Sequence, residues 1–242
     1  MTESQPDGIW VAVPRDVVRV SGRDALSYLQ GQVSQDLVPM AVGDRRWTFL
    51  LQPTGKVDVL ARVERTADDA FVFDVDAGYG DELVARLERF KIRVAVDVER
   101  LDWHVVCVPG GEDIVAADPV PPAGRREGTP DELEALPIAD GWPAMGREIV
   151  RGETIPAETG VTAVAVNFTK GCYPGQELVE RMDSRGAAAP RSLRVLDVAA
   201  GSSPGDPIVQ DGTDVGVLTS VAGTRAIGFV KRGVDVGTAP TH

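Results

Sequence analysis

Trp47, Phe49 and Leu51 alternate with Thr48, Leu50 and Gln52, and Val57, Val59, Ala61 and Val63 alternate with Asp58, Leu60, Arg62 and Glu64. A period of two is that of a β-strand, whose side chains point to opposite faces in turn. Pro53-Thr54-Gly55-Lys56 supplies the turn between the two runs. A third strand, Phe71 to Val75, follows the polar turn Thr66 to Asp69, and Leu83, Val84, Leu87 and Phe90 then fall at helical spacing. Strands around 92–98 and 102–108 complete a unit over about 45–108. Three strands, a helix and two strands make an α+β pattern of ferredoxin-like kind. On this pattern Asp58 lies on the exposed face of its strand.

Either side of that unit the signals are shorter. Ser21 and Asp24 suggest a capping box opening a short helix with Ala25, Leu26 and Leu29 on one face and Gly31 as its stop. Residues 109–130 are rich in Pro, Gly and charge and read as loop, after which Thr129-Pro130-Asp131-Glu132 restarts a helix. A further short helix is expected within 143–151. From 191 to 242, runs at Ser192–Val198, Pro207–Gln210, Val215–Val221 and Arg225–Lys231 are separated by Gly, Pro and Asp turns, the spacing of a small antiparallel β-barrel.

Composition narrows the function classes. A net charge of −12 argues against a general nucleic-acid surface, which needs a basic stripe. Two cysteines, Cys107 and Cys172, make no disulfide framework, and His104 and His242 alone give no basis for a zinc site or a catalytic triad. No apolar run reaches membrane-spanning length, residues 1–10 lack a basic, apolar leader, and the protein is expected to be a cytoplasmic monomer. Cys107 ends the apolar run Trp103 to Val108 and reads as a buried structural thiol.

Cys172 has different surroundings. It lies in Lys170-Gly171-Cys172-Tyr173-Pro174-Gly175-Gln176-Glu177, a turn ahead of good helix-forming material. A helix N-terminus and a nearby ammonium, Lys170, both favour thiolate over thiol. A turn cysteine packed inertly under the helix fits the same spacing. In the residues around it, Tyr173 is either core or a surface for a flat ring, Gln176 and Glu177 either cap the helix or meet a ligand, and Arg181 and Arg185 either end the helix or hold a carboxylate.

The octapeptide resembles the signature of the YgfZ-type folate-binding proteins, a family related to the aminomethyltransferase T-protein of the glycine cleavage system. Leu29-Gln30-Gly31-Gln32, Leu51-Gln52-Pro53-Thr54-Gly55-Lys56, Ile155-Pro156-Ala157-Glu158 and Ile227-Gly228-Phe229-Val230 resemble further family segments in the same order. The resemblance implies a T-protein-like folate-binding fold over 1–190, with the ferredoxin-like unit inserted, and a C-terminal β-barrel over 191–242. It also implies that 1–45 packs beside roughly 131–190. Tetrahydrofolate is the implied cofactor, and iron–sulfur enzymes, tRNA-modifying ones among them, the implied clients. Cys172 and Lys170 are the implied functional pair. The implied folate contacts are Tyr173, Gln176, Glu177, Arg181, Arg185, Asp58 and Glu158, in a cleft between the N-terminal half and 170–185. The stretch around Asp58 keeps at most one of the two acids found in the T-protein. That departure weakens an aminomethyltransferase reading, while a scaffold that holds folate without chemistry remains a third.

Overall fold

The computed structural model describes residues 8–184 and 189–240. Pro14 separates two N-terminal strands, β1 (Ile9–Val13) and β2 (Arg15–Ser21), as a residue without an N–H must in a hydrogen-bonded ladder. Helix α1 (Ala25–Gln30) ends at Gly31. The expected Ser21–Asp24 capping box does not form. Asp24 is itself the N-cap, and its carboxylate accepts the N–H of Ala95 (2.7 Å).

Strands β3 (Arg45–Leu51), β4 (Val57–Ala67) and β5 (Ala70–Asp76) follow as the alternation predicts, then helix α2 (Gly80–Phe90) and strand β6 (Asp97–Leu101). The strand expected at 92–98 starts only at Asp97, because Arg93 takes a left-handed φ of 56°. The sheet order is β3-β4-β5-β2-β6, all antiparallel, so β2 slots between β5 and β6. Strand β7 (His104–Cys107) leaves for a second sheet, pairing with β1 and with β8 (Ile114–Ala116), while β9 (Arg126–Glu127) runs parallel to β1.

Both faces of β3 and β4 are covered. One core gathers Leu50, Val59, Ala61 and Val63 with Leu29 of α1 and Leu83 and Leu87 of α2. Each such leucine contributes about 1.5–3 kcal/mol by leaving water. The second gathers Phe49, Leu51, Val57 and Leu60 with Met145, Ile149, Tyr173 and Val179.

Helix α3 (Pro130–Asp140) opens with the expected capping box, Thr129 and Glu132 each accepting the other's backbone N–H. Residues 143–151 form a turn rather than a helix, with Gly146 at φ 81° and a bridge between Met145 and Ile149. A 3-10 turn (Pro156–Glu158), helix α4 (Thr162–Ala165) and helix α5 (Gln176–Ser184) lead to strands β10 (Arg191–Asp197), β11 (Pro207–Gln210), β12 (Thr213–Ala222) and β13 (Arg225–Lys231). These four form an antiparallel sheet in the order β10-β13-β12-β11 around a small core of their own. Among the described residues its edge strands do not pair with one another, so the sheet stays open where a barrel was expected. No described helix is long and apolar enough to cross a membrane.

Candidate functional site

The cysteine-bearing turn is clamped from two sides. Lys170 is buried, and its Nζ donates to the carbonyls of Gln30 (2.7 Å), Val33 (2.6 Å) and Gln35 (3.0 Å). An ammonium has three donors, so none remains for the Cys172 sulfur. Burial pushes the Lys170 pKa down to about 8, while Asp36 works to hold the proton. Ser34 Oγ donates to Ala165 O (2.6 Å), Asn167 N to Ser34 O (3.0 Å) and Gln35 Nε2 to Val164 O (3.0 Å). Here the N-terminal segment and the region beyond 160 meet, as the resemblance implies.

On the other side Gly175, at φ 84°, packs against the 51–55 turn. A Cβ there would lie 2.5 Å from Gln52 O, and one at Gly55 would lie 2.4 Å from Leu178 Cβ. Of the cleft expected between the N-terminal half and 170–185, the part beside Gly175 and Leu178 is filled by these contacts. Tyr173 is buried in the second core, and burial, then Glu180, pushes its hydroxyl up to about 12. Its ring centroid lies 5.2 Å from Lys170 Nζ. Gln176 acts as a local cap: its Oε1 accepts Tyr173 N (3.3 Å) and its Nε2 donates to Glu180. Glu177 and Arg181 are exposed on α5, and Arg185 lies outside the described residues. Cys172 is exposed at the tip of the turn.

The remaining carboxylates are engaged elsewhere. Asp58 is only 5% exposed, not solvated as its alternation suggests, because β4 is sandwiched between two cores. Gln52 Nε2 (2.9 Å), Arg151 (3.3 Å) and Arg86 (3.5 Å) surround it. Arg86 also donates to Gln32 Oε1 and to Leu51 O (both 3.2 Å), which ties the two glutamine-bearing segments together. Burial, opposed by Asp58, lowers the pKa of Arg86. Glu158 pairs with Arg191 (3.3 Å), and the fully buried Glu148 accepts Ser220 Oγ (2.7 Å) and Ala144 N (3.0 Å).

A cavity of about 710 Å³ opens elsewhere, and none of the described residues expected to contact folate lines it. Trp47 and Trp142 form an aromatic surface in its wall, ring centroids 4.3 Å apart and tilted by 45°. Leu133, Leu136 and Pro137 of α3 make an apolar side. The polar side follows from strand register: Trp47 stands opposite Arg62, Arg62 opposite Asp74, and Arg15 opposite Asp76. Asp74 sits between two guanidiniums, taking Arg15 Nε on Oδ1 and Arg62 Nε on Oδ2 (2.9 Å). Arg15 also donates to Asp76 (2.7 Å) and Arg62 to Asp113 (2.5 Å). Both guanidinium carbons lie within 5.6 Å of the Trp47 ring centroid, in cation–π range. Although burial opposes it, Arg62 and the Val108 N–H hold the Asp113 carboxylate below its usual range.

Sequence reasoning missed this wall. Its one trace was the charged residues Arg62, Asp74 and Asp76 in otherwise apolar strands. Cys107 also differs from expectation: it is half-buried and lines the cavity instead of sitting in a core. Burial first, and then Asp113, pushes its thiol up to about 11. At pH 8 a thiol of that pKa is ionised at about one part in a thousand. Iodoacetamide at pH 8 is therefore expected to label exposed Cys172 at least tenfold faster than Cys107, with Cys107 labelling rising only toward pH 11. Equal rates by mass spectrometry would contradict both environments.

No protein-family model matches the chain. It is 30% identical over 213 residues to the mitochondrial iron–sulfur cluster assembly factor IBA57 homolog of Pyricularia oryzae, covering 74% of this chain and 54% of that protein. It is 25% identical over 229 residues to the tRNA-modifying protein YgfZ of Vibrio vulnificus, covering 78% and 69%. An uncharacterized protein of Haemophilus influenzae is 28% identical over 189 residues, covering 71% and 67%. The chain thus spans about half to two thirds of the length of these curated relatives. In three dimensions it is similar to glycine cleavage system aminomethyltransferase T from Bartonella henselae, with a TM-score of 0.73 at 14% identity over 94% of this chain and 79% of that one. In sequence the chain is similar to YgfZ and IBA57 proteins, and in three dimensions it has the fold of aminomethyltransferase T.

Proposed function

We propose that the chain binds tetrahydrofolate in the 710 Å³ cavity and presents Cys172 to support assembly or repair of iron–sulfur enzymes, tRNA-modifying enzymes among them. The observation that carries this is the Trp47–Trp142 surface beside the Arg–Asp wall. A cavity of this size, largely apolar with a few convergent polar groups, suits a small-molecule ligand. A flat bicyclic ring fits an aromatic floor. The names carried by the IBA57 and YgfZ relatives support the iron–sulfur and tRNA-modification side. A T-protein-type transferase finds less support. Asp58, its candidate acid, lies outside the cavity and is engaged by Gln52, Arg86 and Arg151.

Reduced folate is expected to raise stability by about 2.7 kcal/mol at a hundredfold excess over Kd, and to quench tryptophan fluorescence. Cys172→Ser is expected to keep folding and folate affinity while losing complementation of iron–sulfur enzyme activity in cells lacking the protein. Absence of both binding heat and thermal shift rules out the cavity assignment. Full complementation by Cys172→Ser rules out the thiol.

A further inference from the structure

Building on the folate reading above, we infer that the cavity recognises a folate by its ring system and is indifferent to the length of the glutamate tail, with Glu134 enforcing that indifference. A preference for polyglutamates needs cations free to meet the added carboxylates, and the described residues lining this cavity do not offer them. Three arginines line it, Arg15, Arg62 and Arg147, against four carboxylates, with Asp74 a fifth beneath. Arg15 is held between Asp74 and Asp76, and Arg62 between Asp74 and Asp113. An extra anion would have to compete with bonds already formed in a partly buried setting, where charge-assisted pairs are strongest.

Only Arg147 stands at the rim with substantial exposure, 41% of its side chain, and Glu134 of α3 lies 4.0 Å from it. Asp140, from the same helix, lines the same opening. Arg126, just before α3, is paired with Glu132, and Arg125 turns Nη1 to the carbonyls of Ile9 and Pro109. A tail leaving the cavity past α3 meets carboxylates within a Debye length of roughly 8 Å at physiological salt. Each added glutamate therefore gains little attraction. Glu134 is the residue that matters most, since removing its charge leaves Arg147 free for a tail carboxylate.

The test is calorimetry on the full chain with 5-formyltetrahydrofolate as the monoglutamate and as the pentaglutamate, at low and physiological salt. The two forms are expected to bind within about threefold of each other. Glu134→Gln, an exposed change that leaves folding intact, is expected to make the pentaglutamate about three- to fivefold tighter at low salt, with the gain fading as salt rises. A tenfold pentaglutamate preference in the unaltered protein overturns the inference and leaves the folate reading standing. So does an unchanged ratio in Glu134→Gln. Heat from neither form overturns both.

Discussion

Asp74→Ala is expected to destabilise the protein by about 3–5 kcal/mol, among the largest effects of any single side-chain truncation here. Asp74 is 4% exposed and holds Arg15 on one oxygen and Arg62 on the other, while its carbonyl accepts Arg15 Nη2 (3.0 Å). Both arginine side chains are themselves largely buried. Removing one partner of a buried pair costs more than the pair contributes, because a desolvated charge is left behind. Two guanidiniums are affected at once. Asp76 and Asp113 remain as second partners for Arg15 and Arg62 and soften the loss, which sets the lower end of the range. Asp74→Asn keeps the shape and can accept from one guanidinium, but it offers N–H donors to the other, so a smaller loss of about 2 kcal/mol is expected. Urea denaturation at pH 7 measures both, and near-UV circular dichroism should report disturbance of the Trp47 environment. A loss under about 1 kcal/mol for Asp74→Ala would mean the network is a solvated ornament and not the support of the cavity wall.

That network also shows where sequence reading stops. The strands around 47–75 are legible, since alternation and the Pro53–Lys56 turn are local signals. Which face each residue uses is not legible for β3 and β4. Alternation presumes one wet face, and here both are packed, so Leu50 and Thr48 are buried as fully as Phe49, and Asp58 is buried too. Insertion of β2 between β5 and β6 is a long-range pairing that leaves no local mark. Arg15, Arg62, Asp74 and Asp76 each read alone as an ordinary strand position, and only the register sets them against one another. The octapeptide is the opposite case. Its turn and its helix are written locally, whereas the exposure of its cysteine and the acceptors for Lys170 at 30–35 could not be inferred from its neighbours. Lys170 therefore reads in sequence as a charge beside a thiol and stands in the structure as the pin that joins two distant segments.

The other large effect is expected at the glycine behind that cysteine. Gly175→Ala should cost at least 3 kcal/mol or expel the signature turn from its seat. The residue sits at φ 84°, where a side chain costs about 1–2 kcal/mol before any contact is counted. The new methyl would lie 2.5 Å from Gln52 O and 2.9 Å from both Gly55 Cα and Leu51 Cβ. Ordinary contact distances begin near 3.5 Å. Two of those three neighbours are backbone atoms, in a turn that Gly55 itself holds at φ 83°, so neither side can yield by rotating a side chain. Relief comes only by lifting 172–176 away from 51–55, which exposes Tyr173 and loosens the start of α5. Gly171→Ala is the matched control: a Cβ there meets nothing within 4 Å, and a change of no more than a few tenths of a kcal/mol is expected. Both glycines flank Cys172 in sequence, yet only one is required by the packing. Denaturation midpoints, together with hydrogen exchange over 167–180, distinguish them. If Gly175→Ala melts with the parent protein and its turn stays protected, the contact with the 51–55 turn is not what holds Cys172 in place.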